Sequence, residues 1–348
     1  MPPDRVIGIP RVLHFYELLP FWTAFFDELG FGVVLSETTN PRLIYRSVEN
    51  VVAETCFPVK VVHGHILDLM DKGVRQIFLP SIINMPRQHP DHGENYYCPL
   101  SQGLPYIARS AISIDPEQVR FLEPYFHFQH EPRHLLREMI RFGKELGAKP
   151  AEVEKALAAA WTAQQAFERR CRQRGREILP ALTGDPRAVV ILSRPYNGCD
   201  PGLNLGLPRK LRDMGVLAIP QDFLDVEQSP AMPELTGMYW KSGQRILAAA
   251  ELIKKYDHLH AIFITNFKCG PDSFIAHFLR HRMEAKPYLQ LEVDEHSADA
   301  GVITRCEAFF DSLERKPTVR HEEAEENATG QRYDDSDLIS EGQELHAS

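Results

Sequence analysis

Short apolar runs alternate with longer helical patterns in two separate stretches of the chain. In the first stretch, the apolar runs 6–9 and 31–35 enclose a helical pattern over 15–29. In the second, the apolar runs 188–192 and 261–265 are followed by helical patterns in the same way. Strands that alternate with helices of this length are typical of parallel sheets. The sequence therefore predicts an α/β fold with two Rossmann-like parallel-sheet domains.

The segment between these stretches has a different pattern, because residues 131–146 and 151–179 look wholly helical. We interpret it as a helical segment that joins the two α/β domains. Cysteines occur in both domains, with Cys56 and Cys98 in the first and Cys269 in the second. The predicted division is a first α/β domain over 1–125, a helical connector over 126–185, a second α/β domain over 186–314 and a tail over 315–348.

The C-terminal segment 315–348 is acidic and poor in apolar residues. It carries nine acidic and four basic side chains, so it accounts for −5 of the net charge of −9. A segment of this composition buries too little apolar surface to offset the entropy lost on ordering it. We predict a disordered acidic tail. The acidity of the whole chain also argues against a nucleic-acid partner.

The sequence also bears on the compartment of the protein. Residues 1–5 do not begin a signal peptide, and no apolar run approaches the ~18 residues that cross a membrane. We therefore expect a cytoplasmic protein without a membrane partner. Six cysteines in a large protein of a reducing compartment indicate metal binding or catalysis rather than a disulfide framework.

Four of the six cysteines stand directly before a proline or two residues ahead of one: Cys56, Cys98, Cys199 and Cys269. Proline suits the first helical position, so each of these cysteines is predicted at a helix N-terminus. There the helix dipole and the free N–H groups favour the thiolate, which is the form that binds metals. The pattern indicates a buried sulfur-ligated metal centre, with an iron–sulfur cluster as our leading interpretation. The alternative is that small cysteines fill loop–helix junctions as buried apolar residues.

The other two cysteines lack this context. Cys171 lies within a basic helical run, and Cys306 lies within the last predicted helix. A thiol among arginines is a candidate for reactivity. We count neither residue as a metal ligand.

Six longer motifs resemble one known group of proteins. They are IGIPR at 7–11, ETCFPVK at 54–60, YCP at 97–99, RPYN at 194–197, NFKCGPDSF at 266–274 and DEHSADAG at 294–301. The last two motifs are the longest and the most specific. Over residues 5–314 the chain resembles the activase-related proteins of the 2-hydroxyacyl-CoA dehydratase and benzoyl-CoA reductase superfamily, which also includes double-cubane cluster proteins.

The resemblance implies a [4Fe–4S] cluster held by Cys56, Cys98 and Cys269, which match the cysteine positions of the family. A cubane has four irons, so three cysteines leave one iron open, and an open position marks a reactive centre. Cys199 departs from the family pattern and is a candidate fourth ligand, which would favour pure electron transfer. A double cubane would need about six ligands, all the cysteines of the chain, so we favour the single cubane.

Three further residues are candidates for supporting roles beside the cysteines. Lys60 follows Cys56 by one helical turn, where its charge would offset that of a cluster, and an ordinary surface lysine is the alternative. Asp272 and Ser273 follow Cys269 within the same motif. Catalytic residues stay unassigned.

The resemblance also implies a role in electron transfer. The chain lacks the Walker A pattern G-x-x-x-x-G-K-[ST], so any ATP-dependent activator would be a separate protein. The protein would take single electrons from this activator and then pass them on or reduce a substrate, with acyl-CoA as one candidate, at its open iron. One alternative is a non-catalytic, cluster-bearing scaffold subunit of a dehydratase or reductase complex, and another is a metal-free thiol protein. Whether the chain is itself an enzyme is left open, and a dimer is a candidate assembly.

Overall fold

Parallel strands form the framework of the structure. The computed structural model describes residues 3–182 and 187–314, and the strands in this part form two four-stranded sheets and one two-stranded sheet. The strands are β1 (Val6–Ile9), β2 (Gly32–Leu35), β3 (Gln76–Phe78), β4 (Ser81–Asn84), β5 (Arg120–Leu122), β6 (Tyr125–His127), β7 (Ala188–Ser193), β8 (Leu217–Pro220), β9 (Leu259–Asn266) and β10 (Tyr288–Val293). All pairings between these strands are parallel. The predicted α/β fold with parallel sheets is therefore confirmed.

Helices connect these strands throughout the described segments. The helices are α1 (Phe15–Glu28), α2 (Pro41–Glu49), α3 (Phe57–Lys60), α4 (Val62–Asp71), α5 (Pro99–Gln102), α6 (Leu104–Ala111), α7 (Pro132–Glu145), α8 (Pro150–Ile178), α9 (Pro195–Cys199), α10 (Leu207–Asp213), α11 (Lys241–Lys254), α12 (Gly270–Met283) and α13 (Asp299–Glu314). Short 3₁₀ segments cover Pro3–Arg5, Leu179–Leu182, Gln221–Phe223, Val226–Gln228 and Met232–Gly237. Proline occupies the first or second position in nine of the described helices, where its missing N–H breaks no helical hydrogen bond.

The first sheet, in the order β2-β1-β3-β5, rests on an aromatic core. The ring of Trp22 in α1 lies 4.7 Å from that of Phe78 in β3, and the ring of Phe26 lies 5.1 Å from the same residue. The ring of Phe142 in α7 stacks on that of Phe78 with centroids 5.4 Å apart. Each buried ring of this size contributes about 2–3 kcal/mol to folding. The cluster therefore fixes α1 and α7 against the first sheet.

The second sheet, in the order β10-β9-β7-β8, has a fully buried central strand. All six residues of β7 are buried, as expected for a parallel strand covered on both faces. Because β7 and β9 are adjacent and parallel, their carboxyl ends lie at the same edge of the sheet. Arg194 follows β7 at this edge, and Cys269 lies shortly after the end of β9. Ligands of open parallel sheets usually bind at such an edge.

Helix α8 contacts both parts of the chain. Near its start, Val153, Ala156 and Ala160 pack into the aromatic core of the first sheet. Near its end, a Cβ added to Gly175 would lie 1.7 Å from the carbonyl oxygen of Phe223, so the two backbones touch. Both sheets fall within one compact unit, Met1–Phe310. The predicted domain boundaries at 125 and 185 stay a prediction.

A second unit is formed by Asp311–Ser348, of which the structure describes residues up to Glu314. The predicted disordered tail, 315–348, lies outside the described residues. Among the described helices, none has both the length and the apolar character needed to cross a membrane.

Candidate metal centre

Three of the cysteines lie directly before helices. Cys56 precedes α3, Cys98 precedes α5 and Cys269 precedes α12, each with an extended backbone conformation. All three are buried, with exposed fractions of 5%, 8% and 6%. The prediction that a cysteine ahead of a proline lies at a helix N-terminus is confirmed at these three positions.

Backbone N–H groups face these thiols. The N–H of Ser101, three residues after Cys98, donates to the sulfur of Cys98 at 3.4 Å. The N–H of Val59, three residues after Cys56, lowers the pKa of the Cys56 thiol. Burial nevertheless raises the pKa of Cys56 to about 12. The fold alone therefore keeps this thiol protonated at neutral pH, and metal binding would have to displace the proton.

A buried ion pair stands beside the cysteines. Nε of Arg194, at the end of β7, donates to Oδ1 of Asp272 in α12 at 2.7 Å. The hydroxyl of Thr265 in β9 donates to Oδ2 of the same carboxylate at 3.1 Å. The Arg194 and Asp272 side chains are 2% and 0% exposed, so this pair is shielded from water. These hydrogen bonds within the buried pair orient the guanidinium group of Arg194.

Arg194 lies within electrostatic range of all three thiols. Burial raises the pKa of Cys269, and Arg194 opposes that rise, as it does at Cys56. Although burial disfavours its charge, the pKa of Arg194 is raised by Asp272 and by the thiols of Cys269 and Cys98. Its Nη2 atom is buried and has no hydrogen-bond partner among the described residues. An unpaired N–H on a buried cation is costly, and an anionic group among the cysteines would satisfy it.

The three cysteines are not among the described side-chain groups that gather closely enough to hold a single metal ion. Within the described ranges, the one set of three His, Cys, Asp or Glu side chains with all ligand atoms inside 4.8 Å consists of histidines elsewhere in the fold. A tetrahedral zinc ion would bring its sulfur ligands to roughly 3.8 Å from one another. The ligands of a polynuclear cluster bind different metal atoms and therefore stand further apart.

Lys60 is buried next to the site, with 5% of its surface exposed. Its Nζ donates to Glu54 at 2.7 Å and to Glu295, and Lys268 donates to Glu54 at 2.8 Å. Two carboxylates therefore already bind the charge of Lys60. The idea that this charge offsets that of a cluster stays a prediction.

The other two predicted supporting residues lie at the start of α12. Asp272 orients Arg194, and, in addition to burial, its carboxylate raises the pKa of the Cys269 thiol directly. The hydroxyl of Ser273 donates to the carbonyl oxygen of Cys269 at 2.9 Å, so it fixes the backbone that carries this cysteine. Both residues therefore contact the Cys269 segment or the arginine beside it.

Cys199 is placed differently from the three other cysteines that precede a proline. It is the last residue of α9, so its predicted position at a helix N-terminus is wrong. Helix α9 begins at Pro195 instead, and Pro201 opens a turn. The Cys199 thiol faces a cavity of about 290 Å³ that none of the three buried cysteines lines, and its electrostatic neighbours include Asp222 and Cys171. Its role as a fourth ligand stays a prediction.

Arg194 and Tyr196 were not predicted from the sequence as residues of the site. Both belong to the RPYN motif, which was noted for its resemblance and not for a function. Tyr196 is buried, and it interacts with the charges of Arg194, Cys98 and Cys269. The available signal was the position of an Arg-Pro pair directly after a strongly apolar strand, where ligand-binding residues of parallel sheets usually lie.

The fold and the site define an α/β protein with a cysteine-lined centre near the carboxyl ends of its second parallel sheet. Residues 6–224 match the family model "CoA enzyme activase uncharacterised domain (DUF2229)", which spans more than half of the chain. The protein belongs to this family, in agreement with the resemblance to activase-related proteins. The match includes Cys56, Cys98 and Arg194 and ends before Cys269. Membership connects the chain with acyl-CoA dehydratase systems and with a dehydratase-type component as partner.

No curated protein matches the chain. Among solved structures, the chain is similar to "the SBP FpvC from Pseudomonas aeruginosa in complex with Mn2+", with 13% sequence identity and a TM-score of 0.25. The similarity covers 88% of this chain and 95% of the other. A score this low supports no conclusion about fold or function.

Proposed function

We propose that the protein is an iron–sulfur protein that takes single electrons from a separate ATP-dependent activator. It then passes them on or reduces a substrate, with acyl-CoA as the candidate class. The observation that carries the proposal is that three buried cysteines at helix N-cap positions all lie within electrostatic range of Arg194. The unpaired Nη2 of that arginine points to an anionic group at this place.

The residues present fit a [4Fe–4S] cluster. Cys56, Cys98 and Cys269 would supply three thiolates, each to a different iron, and they are not gathered as ligands of a single ion in the described residues. When bound, such a cluster supplies one-electron chemistry at strongly negative potentials. Arg194 would donate from Nη2 to the cluster, and Asp272 would hold the guanidinium in that direction. Six ligands for a double cubane are not gathered here, so the single cubane remains our choice.

Positive groups around the three thiolates would tune the centre. Helices α3, α5 and α12 direct their N-termini at the cysteines, and the positive end of a helix dipole stabilises negative charge. The charge of Arg194 acts in the same sense. Both effects favour the reduced form, and burial of the cluster opposes them.

Open space behind the RPYN motif supports substrate binding. Two cavities of about 260 and 290 Å³ share Pro195, Lys241 and Arg245 among their lining residues. Pro195 stands between Arg194 and Tyr196, which face the cysteines. A small acyl group would fit this space, although Cys56, Cys98 and Cys269 line neither cavity. We favour substrate reduction over the alternative of a scaffold subunit because the space could hold such a group.

We infer a cytoplasmic location, because all six cysteines lie in the described ranges and are unpaired, as in most proteins of reducing compartments. ATP hydrolysis is assigned to the separate activator because the Walker A pattern is missing. A dimer stays a prediction.

A redox experiment tests this function. Anaerobically purified protein would be reduced with titanium(III) citrate, freed of excess reductant and mixed with CoA alone or with an unsaturated acyl-CoA, whose reduction to the saturated thioester consumes two electrons and two protons. We expect the visible absorption of the cluster to bleach on reduction and to return with the thioester, while Cys306→Ala, a buried cysteine outside the site, behaves in the same way. Reoxidation only by a purified dehydratase-type protein would favour the scaffold, and absence of any reducible chromophore would contradict the proposal.

A variant at Cys199 separates reduction from pure electron transfer. Because Cys199 lines a cavity that Cys56, Cys98 and Cys269 do not line, we expect Cys199→Ala to keep its full iron content. Loss of the cluster in this variant would show four-cysteine ligation and a closed cluster, which would contradict substrate reduction at an open iron.

A further inference from the structure

Three histidines converge on a turn away from the cysteine site. His127 ends strand β6, His130 lies in the turn that follows, and His134 lies in the first turn of α7. One ligand nitrogen from each of them falls within 4.8 Å of the other two. Their spacing, H-x₂-H-x₃-H, brings a strand end, a turn and a helix together at one point.

A buried carboxylate stands behind two of these rings. Oε1 of Glu138, one helical turn after His134, accepts from Nδ1 of His127 at 2.8 Å and from Nε2 of His134 at 3.1 Å. Oε2 of Glu138 accepts from the backbone N–H of His127 at 2.8 Å. The side chain of Glu138 is only 6% exposed. Carboxylates that bind the second nitrogen of a histidine are typical supports of metal sites.

These hydrogen bonds determine which nitrogen atoms carry lone pairs. A carboxylate only accepts, so Nδ1 of His127 and Nε2 of His134 carry the hydrogens. Nε2 of His127 and Nδ1 of His134 are then the ring nitrogens that remain for a cation, and Nδ1 of His134 has to lose its contact with Arg137 first. The ring of His130 stacks on that of His127 with centroids 4.8 Å apart, which adds a third imidazole.

The three histidines lie beside an open cavity. A cavity of about 820 Å³ is lined by His130 and His134 together with neighbouring residues. Nη2 of Arg137 lies 3.5 Å from Nδ1 of His134. Arg137 is exposed and its side chain is long, so it can turn towards solvent when a cation enters.

We propose that His127, His130 and His134 bind a divalent transition-metal ion of the zinc class, with Glu138 as the carboxylate that orients two of the rings. Three imidazoles match the protein ligands of zinc sites that keep a fourth position for water or substrate. That fourth position would face the open cavity beside His130 and His134. The bound ion would also join β6 to α7. The proposal does not depend on the iron–sulfur cluster.

Cobalt(II) is the probe for this site, because its absorption spectrum reports the type of ligand. Full-length, anaerobically purified protein would be treated with EDTA and titrated with Co²⁺. We expect one equivalent to bind with visible ligand-field bands and without the thiolate-to-cobalt charge transfer that cysteine ligation produces. Binding accompanied only by thiolate charge transfer, or no binding at all, would overturn the proposal.

Variants connect the signal to these residues. His130 is exposed, so His130→Gln should fold normally and lower the affinity for Co²⁺ by more than about 10-fold. His281→Gln, at an exposed histidine of α12, is the matched control and should bind as the parent does. Glu138→Gln should lower the affinity by about 10–100-fold while all three imidazoles remain. Unchanged binding in His130→Gln would refute the assignment.

Discussion

Arg194 shows how much of this site depends on a single buried charge. Its guanidinium pairs with Asp272, which lies 78 positions later in the sequence. Removing one partner of a buried pair leaves the other charge without compensation, which costs more than the pair itself contributes. The pair therefore orients Arg194 in the site, and the stability of the fold is sensitive to the loss of either partner.

Asp272→Asn tests this weakness with little change in shape. The amide would leave the charge of Arg194 buried and unbalanced, so we expect the free energy of unfolding to fall by about 3–5 kcal/mol. Urea unfolding of the cluster-free protein measures the change. Asp213→Asn, which breaks an ion pair between two exposed side chains, is the control and should have little effect. Equal, small losses in the two variants would contradict our account of the buried pair.

His65 provides a pH-dependent test at the same scale. Nε2 of this buried ring donates to the hydroxyl of Thr39, which donates to Asp200, and the hydroxyl of Ser36 donates to Nδ1. Burial lowers the pKa of His65 to about 3. Between about pH 6.5 and 3, the unfolded chain therefore binds a proton here that the folded protein does not. Stability falls as the pH decreases through this window, by about 1.4 kcal/mol per pH unit from this group.

The measurement is the pH dependence of urea unfolding. We expect His65→Gln to show a shallower decrease in stability between about pH 6 and 4 than the parent protein does. His277→Gln changes an exposed histidine and should keep the parental slope. An identical slope in all three proteins would show that His65 is protonated equally in the folded and unfolded states.

At the scale of the elements, the sequence predicts most helices and strands but not their partners. The alternation of strands and helices depends on local preferences, and it correctly predicted parallel sheets. For the same reason, the prolines that follow the cysteines correctly predicted that three cysteines lie at helix N-termini. The same prediction was wrong for Cys199, because proline suits a turn as well as a helix start. The helix there begins at Pro195 and ends at Cys199. The sequence contains the spacing of His127 and His134, but their proximity depends on the geometry of the turn between them, which the spacing does not determine.

Helix α8 supplies a prediction at this scale. Alanine normally stabilises a helix by about 1 kcal/mol over glycine. At Gly175 a Cβ would meet the backbone of Phe223, which cannot move as a side chain would. We therefore expect Gly175→Ala to lower the thermal midpoint. Gly301→Ala, in α13 with nothing within 4 Å of the added atom, should leave it unchanged or raise it. A higher midpoint in Gly175→Ala would show that this close contact is absent.

At the scale of the whole molecule, the proposed cluster joins distant parts of the chain. Cys56 and Cys98 belong to the half that contains the first sheet, and Cys269 to the half that contains the second. Lys60 and Glu295 form an ion pair between the same two halves, 235 positions apart in sequence. Such long-range contacts could not be derived from local patterns, and the resemblance alone grouped the three cysteines. A bound cluster would therefore stabilise the arrangement of both halves.

Iron and sulfide analysis of anaerobically purified protein tests the central claim most directly. The account predicts about four irons and four sulfides per chain in the parent protein and in Cys306→Ala. It predicts almost none in Cys269→Ala, because the cluster would lose its only thiolate from the second half. Stoichiometric zinc without sulfide, or a full iron content in Cys269→Ala, would contradict it.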